Sequence, residues 1–280
     1  MKTTEELQAG LLATMHEEQM RRDSYRIAFT DQEFLTRRET RSVRMQLEML
    51  KPDVVLQDHG IHNTIVVFGS ARFHSKDDAE ALLAKAQESG DPIRLVAAER
   101  EVRNSQYYEA ARTFGKIVAA HNAQKPNKDC LYICTGGGPG VMEAANRGAH
   151  EAGCKSVALT IALPREEKPN PYITPELCFR FHYFAARKMH LVMRARALVV
   201  FAGGFGTLDE LFEILTLVQT RKSHAVPIIL YGTDYWKKVI NFEALAEEGA
   251  ISPEDLKLFR YVDDPHECWN MMHSMMAEYM

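Results

Sequence analysis

Apolar residues along this chain fall into two alternating kinds of run: short continuous blocks rich in β-branched side chains, and longer stretches with an apolar residue every third or fourth position. The first pattern suits strands buried on both faces of a parallel sheet, and the second suits amphipathic helices. Thr64–Phe68, Leu131–Cys134, Ser156–Leu163, Phe179–Tyr183, Ala197–Phe201 and Pro227–Tyr231 read as strands. Asp77–Glu88, Tyr107–Asn122, Val141–Ala149, Ala185–Arg196, Leu211–Val218, Tyr235–Glu248 and Pro265–Met280 read as helices, the first two separated by a stretch containing Pro92. This alternation predicts an α/β fold, a Rossmann-like doubly wound parallel sheet with right-handed crossovers and helices on both faces.

The first fifty or so residues differ. They are rich in Glu, Arg, Gln and Met, and between Asp31 and Leu50 the apolar positions are sparse: Phe34, Leu35, Val43, Met45, Leu47, Met49 and Leu50. Such a composition favours helix, with a stripe too thin for an independent core. Arg37, Arg38, Arg41 and Arg44, interleaved with Glu39 and Glu48, read as a solvated helix face. Pro52 marks a boundary, because the residue before a proline is pushed away from helix. Residues 1–55 are therefore expected to form an N-terminal helical extension, and residues 56–280 the α/β domain.

Composition narrows the function classes. The 280 residues are 46% hydrophobic and 26% charged, with a formal net charge of −4, which gives no electrostatic reason to expect nucleic acid or a membrane surface as partner. Five cysteines, Cys130, Cys134, Cys154, Cys178 and Cys268, lack C-x-x-C spacing, so neither a disulfide framework nor a zinc site is expected. No apolar leader core and no apolar run of membrane-spanning length is present, and a cytoplasmic protein is expected.

Chemistry concentrates at the turns that follow strands. The strand at Leu131 runs into Gly136-Gly137-Gly138-Pro139-Gly140 and a helix, and the strand at Ala197 runs into Gly203-Gly204-Phe205-Gly206-Thr207 and another. Glycines there let the backbone turn its N–H groups towards a ligand, and a helix N-terminus favours an anion. Thr207 is placed to cap its helix or to donate to the same anion. With Gly69-Ser70-Ala71-Arg72, these turns lie at carboxyl ends of strands, where an open α/β sheet binds its ligands. Neither a G-x-G-x-x-G fingerprint nor a G-x-x-x-x-G-K-[ST] run occurs, so a mononucleotide monophosphate fits better than a dinucleotide or a triphosphate.

Three motifs in order, Gly136 to Glu143, Arg187-Lys188-Met189 and Gly203 to Glu210, resemble those of the Lonely Guy (LOG) family. The resemblance covers about residues 60 to 270 and implies a phosphoribohydrolase that releases free base and ribose 5-phosphate from adenosine monophosphate (AMP) or a cytokinin riboside monophosphate. Where the family has a proline before its paired glycines this chain has Ala202, and the N-terminal extension has no counterpart in the short plant-type members. Many relatives carry the label lysine decarboxylase, but no lysine here stands in a recognisable pyridoxal phosphate setting.

Breaking an N-glycosidic bond passes through a ribosyl cation, which calls for a carboxylate near C1′ to stabilise charge or activate water. Glu210, just beyond the second glycine turn, is the candidate. Arg187 is placed to hold the phosphate, orient Glu210 or assist the leaving base, and it matches the arginine that the family uses in catalysis. Binding is assigned to Gly136, Gly137, Gly138, Gly140, Gly203, Gly204, Gly206 and Thr207, with Glu143 on the ribose hydroxyls, Ser70 and Arg72 near base or ribose, and Lys188 beside Arg187. Asp209 and Glu210, read as lying in the first turn of their helix, also suit the helix dipole. His182 and His190 have no third partner for a metal. No metal or cofactor is expected, and the Met-rich basic helix at Ala185 suggests a homodimer or larger homo-oligomer. The competing expectation is a non-catalytic nucleotide-binding module, which has no need of Arg187 and Glu210 together.

Overall fold

The structure, a computed structural model, describes residues 16–123, 125–162 and 168–279. The chain divides into two compact units, with the division at Lys51 and Pro52. Residues 1–15 of the expected helical extension, Leu163 at the end of one expected strand, and Met280 lie outside the described residues.

Among the described residues the N-terminal unit holds single turns, the short helix Gln32–Thr36 and the first part of the helix Arg41–Asp58. Asp31 caps the Gln32–Thr36 helix by accepting from the Phe34 N–H at 3.0 Å. Arg44 does not lie on a purely solvated face as expected: its guanidinium donates to the carbonyls of Leu35 at 2.6 Å and Arg37 at 2.7 Å. These are carbonyls that the ending turn leaves without helical partners. Pro52 does not end a helix either, for the Arg41–Asp58 helix runs through it.

The second unit carries a sheet of seven strands, all parallel: β1 (Asn63–Phe68), β2 (Leu131–Thr135), β3 (Ser156–Ile161), β4 (Cys178–Phe181), β5 (Ala195–Val200), β6 (Ile228–Tyr231) and β7 (Phe259–Val262). Their order is β4-β3-β2-β1-β5-β6-β7, so the Rossmann-like α/β reading of the sequence holds. The chain builds outward from β1 to β4, then returns to pair β5 against the other side of β1. That return is the switch point, and the crevice beside it opens at the carboxyl ends of β1 and β5. Burial explains the sequence pattern: Ile65, Val66, Val67, Ala197, Leu198, Val199, Val200, Ile228, Ile229 and Leu230 are all fully buried, as strands covered on both faces require.

Several boundaries differ from the sequence reading for local reasons. Pro92 does not separate helices at Asp77 and Tyr107; it opens one helix, Pro92–Asn122, with Asp91 as cap, since a proline in the first turn forfeits no helical bond. The region expected as one helix from Tyr235 to Glu248 is two, Thr233–Val239 and Phe242–Glu247, broken at Ile240 and recapped by the Asn241 side chain on the Ala244 N–H at 3.0 Å. The helix expected to reach Arg196 ends at Met193, and Ala195 and Arg196 already belong to β5. Strand β7 is absent from the sequence reading; its four residues sit at the sheet edge, and the two central ones are only partly buried.

Candidate active site

Three turns meet at the switch point because β1 lies between β2 and β5. Ser70, just past β1, ties them together: its N–H donates to the Ala202 carbonyl at 2.9 Å and its carbonyl accepts from the Val141 N–H at 3.0 Å. Its hydroxyl accepts from the Arg72 N–H at 3.1 Å. Gly140 can be nothing larger, for its φ is 72° and a Cβ there would overlap the Ser70 carbonyl oxygen. The turns after β1, β2 and β5 thus form one rim, with Ser70 holding it together and Arg72 exposed at its edge.

The helix after the second glycine turn is Phe205–Gln219, and its N-cap is Gly204. Thr207 is therefore not the cap; it lies in the first turn, buried against Gly203, where a Cβ would clash with its side chain. Asp209 and Glu210 fall beyond the first turn, which holds no acidic residue. The helix-dipole account of these carboxylates loses force at that distance. Gly204 and Gly206 are exposed, with open space where a side chain would stand.

Glu210 and Arg187, 23 residues apart in sequence, form an ion pair of 2.8 Å with side chains only 7% and 13% exposed. Arg187 enters from the Phe184–Met193 helix, and its Nη1 lies 3.8 Å from where a Gly136 side chain would begin. It therefore links the first glycine turn to the carboxylate of the second. The Arg187 Nε is buried with no hydrogen-bond partner among the described residues. Lys188 points to the acidic helix instead of the glycine turns, at 2.8 Å from Asp209, 2.7 Å from Glu213 and 3.8 Å from Glu210.

Burial pushes the Glu210 carboxyl above its usual value of 4.5, and the charges of Arg187 and then Lys188 offset this only in part. Burial works against the Lys188 ammonium too, but its hydrogen bonds to Asp209 and Glu213 prevail and raise its pKa. Glu143 accepts from the Tyr108 hydroxyl at 2.8 Å. Burial raises the Tyr108 phenol, with Arg147 opposing and Glu143 reinforcing the shift.

The sequence reading contains no account of what holds the first glycine turn. The Thr135 hydroxyl donates to Asn146 Oδ1 at 2.8 Å and accepts from the Gly137 N–H at 2.9 Å. Asn170 donates from its side chain to the carbonyls of Gly137 at 3.2 Å and Gly138 at 3.1 Å. Thr135, Asn146 and Asn170 are all buried, and in the sequence only the prolines at 169 and 171 single out Asn170. Among the described residues no cluster of three or more His, Cys, Asp or Glu could hold a metal ion, and no helix is long and apolar enough to cross a membrane.

The sequence matches a family model described as "Possible lysine decarboxylase" over residues 142–272. It is 28% identical over 166 residues to the cytokinin riboside 5'-monophosphate phosphoribohydrolase LOG3 of Arabidopsis thaliana, covering 58% of this chain and 72% of that protein. It is 27% identical over 205 residues to the pyrimidine/purine nucleotide 5'-monophosphate nucleosidase of Escherichia coli (strain K12), covering 66% of this chain and 40% of that protein. A solved molybdenum cofactor binding protein from Rippkaea orientalis aligns with a TM-score of 0.44 and 20% identity over 76% of this chain and 97% of that one.

The raised Glu210 pKa has a consequence for stability. The folded protein holds this proton more tightly than the unfolded chain, so the stability it contributes is full below 4.5 and is lost as pH rises through the higher folded value. Glu210→Gln, which cannot ionise, is expected to gain stability relative to wild type between about pH 4 and about pH 7. Urea denaturation of both proteins at the two pH values measures this, and a difference independent of pH contradicts it.

Proposed function

From its kinship with the Lonely Guy (LOG) family, we propose that this chain is a hydrolase that cleaves the N-glycosidic bond of a nucleoside 5′-monophosphate, AMP or a cytokinin riboside monophosphate, to free base and ribose 5-phosphate. The observation that carries the reading is the buried Arg187–Glu210 pair of 2.8 Å at the rim shared by the two glycine turns. A module that only binds nucleotide has no use for a carboxylate whose burial raises its pKa; a reaction through a ribosyl cation does.

In this mechanism the phosphate seats at the two glycine turns, and the first-turn N–H groups of the Phe205–Gln219 helix face it. Arg187, within reach of the first turn, neutralises the phosphate and sets the Glu210 carboxylate. The C1′–N bond breaks with its electron pair passing to the base, which takes up a proton from solvent that Glu210 later returns, and positive charge grows on the ribose beside Glu210. Water then adds to C1′ with its proton drawn towards that carboxylate. Lys188 acts on Glu210 from the far side, being held by Asp209 and Glu213 rather than by phosphate. Glu143, already bonded to Tyr108, retains a second oxygen for a ribose hydroxyl.

Assembly as a homodimer or larger homo-oligomer belongs to the same proposal. Phe184, Met189 and Met193 are exposed on the arginine-bearing helix, and Phe205 is 93% exposed. A groove of ≈ 580 Å³ is lined by Phe205, Leu208, Phe212 and Leu217 together with Lys188, Asp209, Glu213 and Thr216. Exposed apolar side chains interleaved with charge in this way are what a two-fold interface covers.

Two outcomes are expected. AMP is cleaved far faster than adenosine, which lacks the phosphate that the turns hold; comparable release of adenine from both, followed by chromatography, contradicts the assignment. Light scattering at micromolar concentration gives a mass of at least twice that of the chain, and a monomer there removes the assembly proposal.

A further inference from the structure

The first glycine turn is held from behind, and this decides which of its N–H groups a ligand can reach. The Gly137 N–H is spent on the Thr135 hydroxyl at 2.9 Å. The Gly137 carbonyl accepts from both the Asn170 N–H at 2.9 Å and the Asn170 side chain at 3.2 Å. Across a trans peptide the carbonyl and the following N–H point in opposite directions, so the Gly138 N–H is turned away from Asn170. The next peptide has no N–H to offer, because its nitrogen is that of Pro139.

The second turn repeats the arrangement with a different residue. The Tyr235 hydroxyl donates to the Gly203 carbonyl at 2.6 Å, which turns the Gly204 N–H the opposite way, at a glycine that is exposed. Tyr235 is itself fixed by edge contacts to Tyr107 at 6.3 Å and Trp236 at 5.4 Å between ring centroids. Asn170 is 6% exposed, bonds Asn146 Oδ1 at 3.1 Å, and is stiffened by the prolines on either side.

We infer that Asn170 and Tyr235 are the positioning residues of the phosphate cradle: each pulls a glycine carbonyl inward so that the N–H after it, that of Gly138 or Gly204, is presented to a phosphate monoester. The inference rests on the functional reading above. It also separates the glycines by role, since Gly137 shapes the turn while Gly138 donates. An amide suits position 170 because it must donate to two carbonyls, whereas a carboxylate would set oxygen against oxygen.

The test titrates wild type, Asn170→Ala, Asn170→Asp and Tyr235→Phe with ribose 5-phosphate and, separately, with adenosine, following heat by calorimetry and fold by circular dichroism. Ribose 5-phosphate is expected to bind about tenfold or more weakly to each variant, the size of one charge-assisted hydrogen bond, with Asn170→Asp weakest of all and adenosine affinity nearly unchanged. Folded variants that bind ribose 5-phosphate within about twofold of wild type overturn the inference, as does an equal loss for both ligands, which marks a merely structural role. Should the Asn170 variants not fold, Tyr235→Phe, which removes a single hydroxyl, decides alone. A wild type that binds no ribose 5-phosphate overturns the functional reading itself, whereas binding left intact by the substitutions overturns only this step.

Discussion

A strand paired on one side by the strand that follows it and on the other by a strand that returns from the sheet edge determines where the rest of this molecule must go. Because β1 lies between β2 and β5, the turns leaving all three strands crowd together, and the backbone of Ser70 has to serve both of its neighbours. Glycine at position 140 follows from that crowding, and so does the short path from Arg187 to Glu210. The two charged groups come from the helices that precede and follow β5, so residues 23 apart in sequence are brought to 2.8 Å.

Placing a carboxylate there has a cost. Removing charge from water is expensive, and a buried pair returns that expense only when geometry and further hydrogen bonds are good. At Glu210 the compensation is incomplete, since desolvation outweighs Arg187 and Lys188 and raises the pKa. Residues chosen for stability alone do not sit this way, and a site that must meet developing positive charge does. Surrounding groups limit the expense: Lys188 takes up the charge of Asp209 and Glu213, leaving Glu210 with Arg187 as its nearest partner.

Much of this architecture was legible in the sequence because buried parallel strands write continuous apolar blocks, and glycine turns followed by helices are local features. Strand β7 was not, since its Phe-Arg-Tyr-Val run is short and partly exposed at an edge. As helix breakers Pro92 and Pro52 fail for opposite reasons, since one begins a helix and the other is tolerated inside one, although the division of the chain into two units does fall at Pro52. At the site, Arg187 and Glu210 stood out through their motifs, whereas Thr135, Asn146 and Asn170 did not. Their partnership exists only after folding, and neither periodicity nor spacing records a hydrogen bond across 24 or 33 residues. Asp209 and Glu210 were read one turn too early, because the cap is Gly204 rather than Thr207.

The account turns on the charge of one side chain. Glu210→Gln keeps the reach and hydrogen-bonding capacity towards Arg187 but removes the carboxylate that meets the ribosyl cation. Nucleotide affinity and the rate of base release from AMP, measured on the same folded variant, separate binding from chemistry. The account predicts near-normal affinity with kcat lowered about a hundredfold or more. Near wild-type kcat would contradict it, remove Glu210 from the mechanism and favour a protein that binds nucleotides without cleaving them.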